Sequence, residues 1–226
     1  MDIQQITEQF NEVASHYDQQ RRSFIPCFDD YYITSTSFLA NCRNNFRTIL
    51  DLGAGTGLLT KYLIQHFPAA SFYLMDISEQ MMDIARLRFK NQDNIKYIIA
   101  DYSKNMPDEK FDLIASALSI HHFNEDEKIK LYTRLYDKLE AGGYLFNLDQ
   151  FNSCSDEINT MYNNFWYKQI RNSGLSDDEC QSWLKRKELD KENSIDETKS
   201  MLKSIGFSQV ECVYHYMKFG VILAIK

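Results

Sequence analysis

The 226 residues carry 32 acidic against 25 basic side chains, a net charge of −7, so no overall positive field recruits polyanions and nucleic acid is disfavoured as a partner. With 44% hydrophobic and 25% charged residues the composition is globular, enough for one large α/β domain with an elaboration and too little for two ordinary enzymatic domains. Five dispersed cysteines without a C-x-x-C pair argue against a disulfide framework or zinc knuckle, and the absence of a leader-like start or a long apolar run predicts a cytoplasmic protein without a membrane span.

In chain order, Ile3, Ile6, Phe10, Val13, Ala14 and Tyr17 recur with helical period behind Asp2 and Gln5, predicting an amphipathic helix. Pro26 is read as opening a second helix through Tyr32 and Phe38 that ends in the polar run Asn41 to Asn45, so residues 1–45 form a helical lid. From 46 to 150, strands and helices alternate. Strands are expected at Thr48–Leu52, Ser71–Met75, Ile95–Ala100, Phe111–Ser116 and Tyr144–Asp149, with helices from Gly57 to Phe67, Ser78 to Lys90 and Asn124 to Leu139. Residues 151–193 break the alternation with an aromatic helix, Ile158 to Ile170, and a second helix behind the capping box Ser176 to Glu179; they are read as a helical cap over an acceptor site. Ser194 and Glu197 cap a further helix ending at Gly206, and residues 207–226 form two strand runs hinged near Lys218 to Gly220. A β-α-β succession implies parallel strands with right-handed crossovers. The fold class is therefore α/β: a Rossmann-like, doubly wound, mainly parallel sheet with an antiparallel C-terminal edge strand.

The most informative segment runs Asp51-Leu52-Gly53-Ala54-Gly55-Thr56-Gly57, a strand end passing through three alternate glycines into a helix. Glycines there let the backbone turn tightly and approach a ligand, although a plain βα turn has the same need. Asp76 ends the second strand, where a carboxylate can accept from two ribose hydroxyls, and Asp101 with Tyr102 follows the third. Helix capping is the alternative role for each Asp.

On these residues, positions 47 to 150 resemble the class I S-adenosylmethionine methyltransferases, whose first motif is an acidic residue followed by G-x-G-x-G, unlike the dehydrogenases' G-x-G-x-x-G. The resemblance implies S-adenosyl-L-methionine as cofactor and S-adenosyl-L-homocysteine as product. It implies that Asp51, Gly53, Ala54, Gly55 and Gly57 border the methionine part, that Asp76 holds the ribose, that Ile77, Met81, Asp101 and Tyr102 surround the adenine, and that Ala117 and Leu118 offer backbone contacts beside the sulfonium. Val13 to Asp18 with Arg21 and Arg22 is similar to the lid helix of small-molecule members, so Tyr17 and Arg22 are assigned to the cofactor; a solvated arginine pair is the alternative.

After strand four, His121 and His122 stand where related small-molecule enzymes often have a similar pair near the acceptor. They are read as catalytic, with His121 ahead as a base for an O, N or S nucleophile, or else as loop-orienting groups. Neither an Asn/Asp-Pro-Pro-Tyr run nor a Pro-Cys nucleophile follows that strand, which disfavours DNA base methylation. Phe151, Tyr162 and Trp166 are assigned to the acceptor pocket, although aromatics at helical spacing also build cores. The C-terminal part is similar to carboxy-S-adenosylmethionine synthase, an enzyme of tRNA wobble uridine modification, and there Arg186 matches an arginine that contacts the extra carboxylate. The expected activity is thus methyl transfer to a small-molecule acceptor, without a metal; a homodimer, a carboxyl-cofactor chemistry, a non-catalytic binding module and a nucleotide-linked oxidoreductase stay open.

Overall fold

The computed structural model describes residues 17–226, the Gln19 side chain apart; the helix expected from Asp2, including Val13 to His16, lies outside the described residues. The elements are α1 (Tyr17–Phe24), a π-helical turn (Asp30–Thr34), α2 (Ser35–Cys42), β1 (Thr48–Leu52), α3 (Leu58–His66), β2 (Ser71–Asp76), α4 (Glu79–Arg88), β3 (Ile95–Ile99) and β4 (Phe111–Ala117). A 3-10 turn (Ile120–His122) then leads to α5 (Glu125–Lys138), β5 (Leu139–Gln150), α6 (Asp156–Arg171), α7 (Asp177–Lys187), α8 (Ile195–Ile205), β6 (Gln209–Tyr216) and β7 (Phe219–Ile225).

The strands form one seven-stranded sheet in the order β3-β2-β1-β4-β5-β7-β6. Its apolar runs are continuous because both faces are covered. Ile49, Leu113, Phe146 and Val221 enter one cluster with Leu59 and Leu63 of α3 and Met82 and Ala85 of α4. Their neighbours Leu50, Ile114, Leu145 and Ile222 enter the other, with Leu131 and Leu135 of α5 and Leu202 of α8. The strand order reverses between β1 and β4, the point at which open α/β sheets bind ligands.

α1 stops before Pro26, which has no N–H to extend the pattern in which Ile25 donates to Arg21 O at 2.9 Å. The helix expected behind the proline is present: helical structure resumes at Phe28, with Tyr31 N donating to Cys27 O at 2.8 Å, and runs through the π-helical turn into α2. The C-terminal runs form the expected antiparallel pair at the sheet edge, with β7 lying between β5 and β6 and antiparallel to both. β5 begins at Leu139, which pairs with Phe111 before an irregularity shifts the register to Leu113 and Tyr144.

The chain after β5 is fastened back onto α1. Trp166 of α6 is buried, its indole N–H donates to Phe24 O at 2.7 Å, and its ring meets Trp183 of α7 at 4.8 Å and Phe219 at 5.2 Å. Truncating such a side chain costs about 3–5 kcal/mol. Gln20 of α1 donates to Glu179 of α7 at 2.7 Å. The expected capping boxes are formed, Ser176 with Glu179 on α7 and Ser194 with Glu197 on α8.

Candidate functional site

The carboxyl ends of β1, β2 and β4 open into a cleft of about 640 Å³ lined by Gly53, Gly55, Asp76, Ile77, Met81, Asp101, Tyr102, Ala117, Leu118, Ser119, His122 and Phe123, with Tyr17 of α1 across it. Gly53 and Gly55 both have positive φ, yet they serve different ends. A Cβ on Gly53 would sit 2.0 Å from Ser119 Oγ, so this glycine makes room for the β4 loop; a Cβ on Gly55 would meet nothing within 4 Å. Asp76 holds the turn in place, accepting from Gly55 N through Oδ2 and from Ser78 N through Oδ1, each at 2.8 Å. Burial pushes its carboxyl up, against these backbone bonds. Asp101 accepts from Ser103 N and Oγ and pairs with Lys104 at 3.0 Å; burial raises its carboxyl, but those contacts outweigh it and hold it below the usual range. Tyr102 shares a 2.5 Å bond with Ser119 Oγ. Asp18 of α1 clamps the loop from outside, accepting from Thr56 Oγ1 at 2.7 Å and pairing with Arg88.

A second cavity of about 420 Å³ adjoins the first and shares Leu118 and His122 with it; Arg21, Phe24, His121, Gln150, Trp183, Arg186, Lys187 and Asp190 complete its lining. Leu118, in the dividing wall, has φ +54°. A side chain held there stores about 1–3 kcal/mol of strain, which clusters at functional sites. His121 Nδ1 lies 2.5 Å from Asp149 Oδ1 and its Nε2 3.3 Å from Asp190 Oδ1. Burial alone would lower this imidazole; Asp190 and Asp149 overcome it and raise it to about 10, so His121 is an imidazolium. His122 behaves oppositely, lowered by burial and by the charge on His121, with its Nδ1 3.3 Å from Asp190 Oδ1.

His121, His122 and Asp190 are close enough to share a metal ion. Lys187 stands 3.6 Å from the other oxygen of Asp190, and Arg21 and Arg186 line the same cavity, so a cation there faces strong repulsion. Among the described residues no carboxylate pairs with Arg21 or Arg186. Arg21 stacks 3.6 Å over the Tyr17 ring with its Nε buried and without a hydrogen-bond partner. Burial and then the charge of Arg21 lower Arg186. Two guanidiniums press on one another across a space that an anion would relieve.

Residues 49–143 match the methyltransferase domain family. These residues carry the methyltransferase domain, set on the open, mainly parallel sheet described above. It is 27% identical over 143 residues to malonyl-[acyl-carrier protein] O-methyltransferase 1 of Ilyobacter polytropus, covering 63% of this chain and 51% of that protein. It spans about half or less of the malonyl-[acyl-carrier protein] O-methyltransferases it matches. Carboxy-S-adenosyl-L-methionine synthase of Helicobacter hepaticus is 25% identical over 240 residues, 99% of this chain and 97% of the relative. Among solved structures, the DhpI complex with S-adenosylhomocysteine superposes with a TM-score of 0.67 at 18% identity, over 96% of this chain and 93% of that one.

The cleft fits an S-adenosylmethionine-like ligand: an open face at Gly55 for a chain to lie along, carboxylates at Asp76 and Asp101 for hydroxyl and amino donors, and apolar Ile77, Met81 and Phe123 for a ring. Other assigned residues stand elsewhere. Asp51 is buried behind the turn, where Oδ2 accepts from Thr60 N at 3.2 Å and Thr60 Oγ1 at 2.5 Å. Ala54 and Gly57 are outside the cleft lining; Ala54 donates to Met75 O, and a Cβ on Gly57 would strike the Phe89 ring. Arg22 turns to the surface, 2.7 Å from Asp29 and over the Phe28 ring. On a helix, Tyr17 and Arg21 share a face one turn apart whereas Arg22 is rotated about 100° away, so Arg21 is the arginine that lines the second cavity. Phe151 packs on Gly220 and Trp166 on the α1 end, both as core. Tyr162 lines neither cavity, whereas Arg186 lines the second. The sequence reading assigned no role to Ser119, Phe123, Gln150, Asp149, Lys187 or Asp190; only Asp149, another strand-end carboxylate, carried a signal like that of Asp76.

Proposed function

We propose that the protein is a class I S-adenosylmethionine-dependent methyltransferase that transfers a methyl group to a small acceptor carrying an anionic group and occupying the second cavity. The observation that supports this most is that the two cavities meet at Leu118 and His122, and that the second is lined by Arg21 and Arg186, neither of which pairs with a carboxylate among the described residues. S-adenosylmethionine, when bound, supplies an electrophilic methyl on a sulfonium whose leaving thioether is neutral. Asp76 is the ribose acceptor, with lone pairs left beyond its two backbone bonds, and Asp101 with Met81 and Ile77 holds the adenine end. Ala117 and Leu118 line the passage between donor and acceptor. Arg21, Arg186 and Lys187 orient the anion, and Phe24 and Trp183, stacked with centroids 6.1 Å apart, keep water from the nucleophile.

His121 does not serve as the base, because two carboxylates hold its proton. The proton of a hydroxyl, amine or thiol acceptor goes to His122, which is neutral at pH 7; a carboxylate acceptor needs no base. Calorimetry with S-adenosylhomocysteine tests the reading: binding in the micromolar range is expected, and no heat at millimolar ligand would overturn it.

A second reading, a synthase acting on a carboxylated sulfonium nucleoside, is favoured by the near-complete coverage of the Helicobacter hepaticus relative and by Arg186. The mass of the nucleoside retained on purification separates the two.

A further inference from the structure

The segment joining α7 to α8, residues 188–194, packs on the site from the side opposite the glycine turn, and an unusual number of buried cations hold it. Lys128 of α5 donates to Lys191 O and, at 2.6 Å, to Asn193 Oδ1. Lys218, fully buried at the start of the last hairpin strand, pairs with Glu192 and donates to Asn152 Oδ1 at 2.8 Å. Lys187 reaches Glu192 at 3.1 Å, Lys191 N donates to His121 O at 2.7 Å, and Asn152 N donates to Asn193 O at 2.9 Å. Burying a lysine costs several kcal/mol unless it is paired, so a strap fixed by two of them is built to stay in one place.

The carboxylate this strap delivers is Asp190. One of its oxygens, Oδ1, stands 3.3 Å from His121 Nε2 and 3.3 Å from His122 Nδ1, while Lys187 stands 3.6 Å from the other. His121 cannot turn to share that oxygen differently, since its Nδ1 is held by Asp149 and its carbonyl by the strap. We propose that Asp190 is a positioning residue: it fixes the ring of His122 in the wall between the two cavities with the proton on Nδ1, which leaves the lone pair on Nε2.

This assignment rests on the proposed function, because a histidine ordered this way matters only if an acceptor meets it. Free imidazole side chains carry the neutral proton mostly on Nε2, so the opposite tautomer at His122 is a signature that packing alone does not create. Among the described residues, the charged groups around this ring are Asp190, His121 with its partner Asp149, and Arg21, Arg186 and Lys187 on the cavity wall.

The test is nitrogen NMR on the full chain, labelled at histidine and saturated with S-adenosylhomocysteine, with signals assigned through His→Gln substitutions. The parent is expected to show His122 neutral at pH 7 with its proton on Nδ1 and His121 as imidazolium. In Asp190→Ala, His122 should revert to the Nε2–H form while affinity for S-adenosylhomocysteine stays within about threefold. Asp190→Asn, which keeps the shape of the strap, should give the same reversion or a mixture and covers the case in which the alanine variant does not fold. An Nε2–H tautomer in the parent, or an unchanged Nδ1–H in both variants, overturns the assignment. Failure of the parent to bind S-adenosylhomocysteine sinks the proposed function instead, so the two failures are distinguishable.

Discussion

The cofactor cleft and the acceptor cavity share Leu118 and His122 but are assembled in opposite ways. Among the described residues the cleft is drawn mostly from the ends of successive strands and the turns and helix starts after them, with Tyr17 arriving from α1. Much of its chemistry is main chain: Gly53, Gly55 and the N–H groups that Asp76 gathers. The acceptor cavity is drawn from four separate stretches, around Arg21, Leu118 to His122, Gln150, and Trp183 to Asp190, and its chemistry is side-chain charge. A backbone site depends on local geometry and resists substitution; a charge site can be re-specified by one residue. On the proposed reading, donor binding stays fixed by the fold while acceptor choice falls to α1 and α7.

The sharpest way to break this contrast is to disturb the donor side through its buried charge. Asp51 is solvent-free, and burial raises its carboxyl to about 7 despite the bonds from Thr60. The unfolded carboxyl titrates near 4, so between about pH 4 and pH 7 the unfolded chain releases a proton that the folded chain keeps. A raised folded value means that stability is full below that window and is lost as pH rises through it, by about 4 kcal/mol at most. Urea unfolding should therefore show Asp51→Asn, which can still accept from Thr60, gaining on the parent from pH 4 to pH 7; a constant difference across that range contradicts the assignment. Asp76→Ala comes next. It should weaken S-adenosylhomocysteine binding by about 1–3 kcal/mol, because it removes the ribose acceptor and the anchor of Gly55 together. Unchanged calorimetric affinity would remove Asp76 from the ribose.

The same contrast governs what was legible in the sequence. Strand-helix alternation, the glycine turn, Asp76 at the end of β2 and the capping boxes of α7 and α8 are local patterns, and each is found where the pattern puts it. The aromatic surplus was ambiguous, because helical spacing says that Trp166 is buried but not that Phe24 O receives its N–H. The position of β7 was equally hidden, since either strand of a terminal hairpin can pair with β5. Asp190 was invisible, because nothing in the run Glu188 to Asn193 marks one acid above another until Lys128 and Lys218 are seen to hold the strap. The environment of His121 was hidden for the same reason, because Asp190, the second carboxylate beside it, comes from that strap.

Arg21 and Arg22 bring the comparison down to adjacent positions. Their spacing alone does not phase α1 against the sheet, so the choice of Arg22 over Arg21 had no local signal behind it. Arg21 lines the acceptor cavity under Tyr17, while Arg22 is exposed beside Asp29. With an organic acid identified as acceptor from a panel, Arg21→Ala should raise its KM by about tenfold, equivalent to about 1.4 kcal/mol, with S-adenosylhomocysteine affinity changed less than about threefold. Arg22→Ala should change both by less than about twofold, as exposed ion pairs contribute little. If both substitutions raise KM equally, the effect is long-range charge, which added salt would erase. If Arg21→Ala instead weakens the cofactor and spares the acceptor, the guanidinium serves the donor's own carboxylate, and acceptor choice then rests on α7 alone.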